Sequence, residues 1–312
     1  MKKSWLALGM LLVTLPSLAR ADGGFNGYQW PGWKLSTSEG FNLETGDSNV
    51  RDNRVAFPLT QLLDGDPNTT WVWDDAAWKN RERRGVKPLK TRSLSLHSDK
   101  QLIADELWLM NGYNKRADLF KRNDRVVQIR INFDSKHVKT ANLSDKMGWH
   151  KITLPRRAFK SLTVELTGIR KGAGPDNDIC LSELALYNRG RKLNFQMPQA
   201  VVYSLAYCCG GTGWLLSRSG RVLTQGMLGE GASVEWSPDG RRVAGINGVD
   251  GKEQVWIADS LRPRIVRRVD FDKKSKLYSI RWKSNRTLEA LTFDLPNGKY
   301  RERLLRPIHS PI

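Results

Sequence analysis

The chain has 312 residues, with 51 Lys and Arg against 32 Asp and Glu and a formal net charge of +19. Its 12 Trp and 27 Gly, without long Ala/Leu/Glu runs, favour β structure over helical bundles. The length allows two cored domains of ~100–200 residues each, and the positive field attracts polyanions.

Residues 1–21 read as a signal peptide. Lys2 and Lys3 form a positive start, Trp5 to Leu15 an apolar run, and Ala19-Arg20-Ala21 a small-x-small cleavage site before Asp22. The apolar run is shorter than the ~20 residues that span a bilayer. No Cys lies near Asp22, which argues against a lipid anchor. Loss of Lys2, Lys3 and Arg20 takes +19 to +16. The expected product is periplasmic or secreted and not transmembrane. Its expected polyanions are headgroups, envelope glycans or acidic polysaccharides, and export disfavours nucleic acid.

Residues 22–45 read as an irregular segment that lays Trp30 and Trp33 onto a neighbour. Residues 46–190 hold short alternating runs, among them Ser93–His97, Glu106–Met110, Val126–Phe133, Lys151–Leu154, Ser161–Leu166 and Leu184–Tyr187. Gly, Asn, Asp or Lys clusters bound them, the pattern of an all-β sandwich or barrel. Trp71, Trp73 and Trp108 are expected in its core. Residues 191–199, with Pro198, read as a linker.

Residues 200–312 carry an internal repeat. Trp214 recurs as Trp256 and Trp236 as Trp282, close to the ~40–45 residue period of a four-stranded propeller blade. Ser237-Pro238-Asp239-Gly240 is a tight turn: Pro presets φ, Asp bonds its own backbone and Gly takes positive φ. Trp236 to Ala244 resembles the blade signature of TolB-like propellers. In the second copy Lys283-Ser284-Asn285-Arg286 replaces the turn. Two blades leave bare strand edges. This part is therefore expected to dock on the sandwich, on a second copy or on a protein partner.

The most informative stretch is Leu62-Leu63-Asp64-Gly65-Asp66-Pro67-Asn68-Thr69-Thr70-Trp71, an acidic turn running into an aromatic strand. Asp64, Asp66 and Thr69 place hard oxygens in one loop, and Glu183 is a distant carboxylate that could complete a calcium shell. Equally, Asp64 and Thr69 could simply cap the turn.

This stretch, followed by Asn111-Gly112-Tyr113, Asn123-Asp124-Arg125-Val126 and Asp178 to Glu183, resembles the motif series of the NADase-type glycan-binding domain, a discoidin-like, galactose-binding-like module. The resemblance implies a jelly-roll β-sandwich whose loops hold a carbohydrate. It also implies a structural calcium at Asp64, Asp66, Thr69 and Glu183. The basic stretch Lys79 to Lys90 departs from the pattern and suits an anionic glycan. Sugar recognition needs an aromatic face and planar polar groups. Asn111, Tyr113, Asn123 and Arg125 supply that set, unless they hold the loops instead.

Cys180, Cys208 and Cys209 are an odd set on an oxidising route. A Cys180 bridge to Cys208 or Cys209 would staple the two halves together. Catalysis finds no support: His97, His137, His150 and His309 lack the context of a nucleophile elbow or zinc helix. Two readings follow. One is an exported, non-catalytic glycan-binding protein. The other is an interaction scaffold that uses open blade edges and a basic surface.

Overall fold

The computed structural model describes residues 27–38, 57–74, 92–175, 178–207, 210–218, 221–228, 234–249, 252–262, 264–271, 275–294 and 299–305. The expected signal peptide, the basic stretch after Trp78, and Cys208 and Cys209 lie outside them.

The described chain is almost entirely antiparallel β. In the first part the strands are β1 (Gly27–Trp30), β2 (Trp33–Thr37), β3 (Trp71–Asp74), β4 (Arg92–Asn111), β5 (Arg125–Phe133), β6 (Lys136–Asn142), β7 (Trp149–Arg170), β8 (Asp178–Asn188) and β9 (Arg191–Lys192). A 3-10 turn spans Leu59–Leu63, and one short helix, α1, spans Ala117–Arg122.

Two long strands build the sandwich. The first half of β4 pairs with β2 and with the second half of β7, which continues to β5 and β6. The second half of β4 pairs with the first half of β7 and with β8, and β8 pairs with β3. Register shifts between His97 and Leu102, and between Ala104 and Glu106, let one ladder pass from one layer to the other. Period-2 alternation then sends Leu94, Leu96, Leu107 and Leu109 of β4 into the core with Ile129 and Ile131 of β5 and Leu184 and Leu186 of β8. Trp71 and Trp73 lie in this core as expected. Trp108 does not: it falls out of phase with Leu107 and Leu109 and stands on the opposite face.

Within the segment expected to be irregular, residues 27–37 form a hairpin. Pro31-Gly32 makes its turn, and β1 pairs with β2. Its aromatics do lie on a neighbour: Trp30 Nε1 donates to Phe195 O at 2.8 Å, and Trp33 meets the Phe195 ring edge-on at 5.2 Å.

The second part comprises β10 (Ala200–Tyr207), β11 (Gly210–Ser217), β12 (Val222–Leu228), β13 (Val234–Trp236), β14 (Arg242–Val249), β15 (Lys252–Asp259), β16 (Arg264–Asp270), β17 (Ser275–Ser284), β18 (Thr287–Asp294) and β19 (Lys299–Leu305). Strand β1 pairs with β10, so β10 to β12 extend the sandwich's own ladder. Of the docking modes left open by the sequence, this part joins the sandwich, through the N-terminal hairpin. A four-stranded sheet, β13 to β16, and a three-stranded sheet, β17 to β19, follow.

The four-stranded sheet is buried on both faces. Val243, Trp256 and Ala258 pack with Ala200, Val202 and Leu215. Ala244, Ile246, Val255 and Ile257 pack with Ile280, Leu288 and Ala290. The repeat is legible in the pairing, since Trp236 opposes Val243 as Trp282 opposes Leu288. Asp239 N–H donates to Asn285 Oδ1 at 3.0 Å, which ties the two corresponding turns together.

Candidate functional site

The acidic loop lies over β8 because both of its flanks attach there. Downstream, Trp71 pairs with Leu181, and Thr70 Oγ1 donates to Leu181 O at 3.0 Å. Upstream, Gln61 Oε1 accepts from Thr70 N–H at 3.3 Å. Asp64 thereby meets Glu183, more than a hundred residues away in the chain.

Glu183 is 1% exposed, and neither carboxylate oxygen has a donor at hydrogen-bond geometry. Burial, reinforced by the nearby Asp64 carboxylate, pushes its pKa up to about 9; Lys192 and the Gly65 N–H oppose this weakly. Asp64 also caps its own turn, taking Asp66 N–H at 2.9 Å and Thr69 Oγ1–H at 3.1 Å. Of the four expected metal ligands, the structure gathers Asp64, Thr69 and Glu183. The Asp66 carboxylate caps Asn68 instead, at 2.9 Å to both its N–H and its Nδ2. Among the described residues no cluster of three or more His, Cys, Asp or Glu side chains forms. The donor set is two carboxylates, a hydroxyl and carbonyls. Buried carboxylate oxygens without donors fit a hard cation, which would replace the missing positive partners.

The expected sugar-binding quartet is mostly structural, which corrects the sequence reading. Asn111 is 0% exposed; its Nδ2 donates to Val126 O at 2.7 Å and its Oδ1 accepts from Val126 N–H at 2.9 Å. That side chain splices the end of β4 to the start of β5. Arg125 is 7% exposed, bonded to Asp145 at 2.5 Å and to the Phe120 and Asn123 carbonyls at 2.9 Å each. Asn123 closes α1 by donating to Leu119 O at 2.8 Å. A buried clamp cannot also offer its polar atoms to a sugar. Gly112 shares this tight packing: its φ is +74°, and a Cβ there would meet the Phe120 ring at 2.6 Å.

Tyr113 remains. With Phe57, Asn123 and Cys180 it lines a cavity of about 160 Å³, below the ~300 Å³ where small-molecule pockets begin. Burial raises its phenol pKa. Cys180 is a buried thiol with Sγ 3.9 Å from Asp178 O. It stands opposite Val72 of β3; its expected bridge partners Cys208 and Cys209 lie outside the described residues.

Trp108, expected in the core, instead belongs to an aromatic surface. Trp149 of β7, Trp108 of β4 and Tyr187 of β8 stand on adjacent strands of one face. Trp108 lies 6.2 Å from Trp149 and 5.1 Å from Tyr187, centroid to centroid. Trp149 is 37% exposed, and Met147 beside it is also exposed. Trp108 Nε1 donates to Glu106 Oε2 at 2.7 Å, and Lys151 Nζ is 2.6 Å from Glu106 Oε1. Lys151, then Trp108, hold the Glu106 carboxyl below its ordinary pKa. Asn114 anchors the loop before Trp149, accepting from Gly148 N–H at 2.7 Å. The signal was in the alternation Glu106-Leu107-Trp108-Leu109: the leucines point inward, so the Trp points out. Glu183 shares this face, paired with Met110, which pairs with Trp149.

Residues 39–187 match the family model of the NAD glycohydrolase translocation F5/8 type C domain. The match spans β3 to β8, short of the last residue of β8, and agrees with a discoidin-like β-sandwich there. Among solved structures, the family 32 carbohydrate-binding module of Clostridium perfringens NanJ, in complex with galactose, is 15% identical. It covers 50% of this chain and 93% of its own, with a TM-score of 0.34. The family 32 module of Streptococcus pneumoniae EndoD is 10% identical and covers 54% of this chain and 100% of its own, at 0.34. No curated protein sequence matches the chain.

Proposed function

We propose that this protein is an exported, non-catalytic carbohydrate-binding protein, and that its discoidin-like sandwich presents the ligand-contacting surface. The observation that carries this reading is the water-facing Trp149 ring beside the Glu106–Lys151 pair. An aromatic ring in water, backed by a second ring and flanked by charged hydrogen-bonding groups, suits the C–H face and hydroxyls of a sugar. Core packing has no use for it. The F5/8 type C match and the carbohydrate-binding neighbours agree with this class, and the amino-terminal segment supports export.

A calcium ion at Asp64, Thr69 and Glu183 belongs to the same reading. It would lock the acidic loop to β8, on the face that carries Trp149, by neutralising two carboxylates. Thr69 would contribute a hydroxyl oxygen, and Asp64 would orient its turn.

The edge-pairing scaffold finds less support. The edge strands β16 and β19 carry Arg264, Arg267 and Arg268, and Lys299, Arg301 and Arg303. Such charges keep edges from pairing with other chains.

The test is a glycan array followed by calorimetry at low and moderate salt. Trp149→Ala should weaken binding roughly tenfold, as expected for an aromatic contact of ~1.5 kcal/mol. Unchanged affinity in that variant, or binding that follows ionic strength alone, overturns the reading.

A further inference from the structure

The sandwich and the first repeat meet around a cleft of about 880 Å³. That volume lies within the ~300–1,000 Å³ of small-molecule sites, which favour domain junctions. Four turns converge on it: Pro31-Gly32 of the N-terminal hairpin, Asp64-Gly65 of the acidic loop, Asn194 to Gln196 after β9, and Asp239-Gly240 of the repeat turn.

These walls are fixed in place. Gly240, at φ +68°, sits against Pro31, where an added Cβ would come within 3.0 Å of Pro31 Cγ. Trp30 Nε1 pins Phe195 O at 2.8 Å. Gln196 has a positive φ of +49°, and its N–H donates to Asn194 Oδ1 at 2.8 Å. A non-glycine residue in the left-handed region is a cost that concentrates at ligand-holding loops.

Lys192, Arg218 and Arg241 line the cleft from three separate elements. None of them forms an ion pair among the described residues. The two carboxylates on the wall are engaged within their own turns: Asp64 takes Asp66 N–H and Thr69 Oγ1–H, and Asp239 takes Ser237 Oγ–H at 2.7 Å and Arg241 N–H at 3.1 Å. The cleft therefore offers convergent cationic donors, side-chain amides at Asn194 and Gln196, and an apolar lip at Leu261, which is 57% exposed.

We propose that this cleft is a second binding site, distinct from the Trp149 surface, and that it takes an acidic oligosaccharide. Guanidinium forks bond carboxylate or sulfate oxygens bidentately. The amides suit hydroxyls, and Leu261 and Met197 suit the C–H faces of the rings. This inference rests on the glycan-binding reading but not on Trp149.

The experiment is calorimetry on the full chain with tetragalacturonate, its methyl ester, and an O-sulfated tetrasaccharide. Binding of either acidic probe without binding of the ester supports the site, and the two probes separate carboxylate from sulfate. Arg218→Gln with Arg241→Gln should weaken binding at least about tenfold. Arg267→Gln with Arg268→Gln removes the same charge on β16, away from the cleft, and should change affinity little. Leu261→Glu, at the exposed lip, should weaken binding with an unchanged melting temperature. No binding of either acidic probe, equal binding of the ester, or equal loss in both arginine pairs overturns the proposal. If Trp149→Ala alone abolishes binding of the acidic probes, the cleft fails and the glycan reading stands. If Trp149→Ala leaves all glycan binding intact while the cleft variants lose it, the cleft stands and the Trp149 surface fails.

Discussion

Tyr28 of β1 stands directly opposite Tyr203 of β10, ring centroids 4.8 Å apart and tilted by 58°. The pair belongs to one row of buried side chains: Tyr203, Tyr28, Leu35, Leu96, Leu162 and Phe133 pair in sequence across six strands. Through this row the second part of the chain shares the sandwich's sheet. Tyr28→Ala should cost ~3–5 kcal/mol, the range for removing a buried aromatic. It should lower one cooperative urea transition seen equally by probes in both parts. A wild-type protein that unfolds in two separate steps would show that the hairpin does not couple them.

Calcium should raise the melting temperature, because a ligand bound only to the native state stabilises it, by ~2.7 kcal/mol at one hundred times its dissociation constant. Glu183→Gln and Asp64→Asn should each remove the shift. Differential scanning calorimetry with calcium and with a chelator decides this. No shift at millimolar calcium, or a shift retained in both variants, contradicts the cation site.

Without divalent cations, Glu183 makes stability depend on pH in an unusual direction. Its folded pKa of about 9 is above the ordinary value of 4.5, so between those limits the folded protein holds a proton that the unfolded chain has lost. The contribution is complete below pH 4.5 and is lost as pH rises toward 9, at up to ~1.4 kcal/mol per unit. Chelated protein should lose stability from pH 5 to pH 9, and Glu183→Gln should flatten that slope. Equal slopes in wild type and variant would rule out a protonated Glu183.

Arg125 and Asp145 give the opposite sign. Asp145 is held below its ordinary pKa chiefly by its bond to Arg125, opposed by partial burial and helped by Arg170 at 2.8 Å. Its stabilising contribution exists above about pH 4 and is lost as pH falls through the lowered folded value. Asp145→Asn should reduce the acid sensitivity of unfolding. Arg125→Met should cost roughly 1.5–3 kcal/mol, since it removes the buried guanidinium's charged hydrogen bonds to Asp145 and to the Phe120 and Asn123 carbonyls, while Asp145 keeps Arg170. It should leave glycan affinity unchanged once the protein is folded. Reduced affinity in a fully folded Arg125→Met protein would restore Arg125 to the binding surface.

The sequence by itself determined the all-β class and most strand positions, while its motif resemblance implied, with simple turn capping left open, that the acidic loop meets Glu183. These follow from local rules: alternation with period 2, turn residues with fixed dihedral demands, and motifs whose order survives in the fold. Only the tertiary structure decided which polar side chains face water. Asn111 and Arg125 have the composition of a sugar site, yet each is consumed by backbone groups that strand pairing brings beside it. Trp108 has the composition of a core residue, yet its phase against Leu107 and Leu109 turns it outward, where Trp149 joins it from another strand. The cleft was beyond reach for the same reason: Lys192, Arg218 and Arg241 converge through the β1–β10 ladder, and cross-strand partners set by long-range packing leave no trace in local spacing.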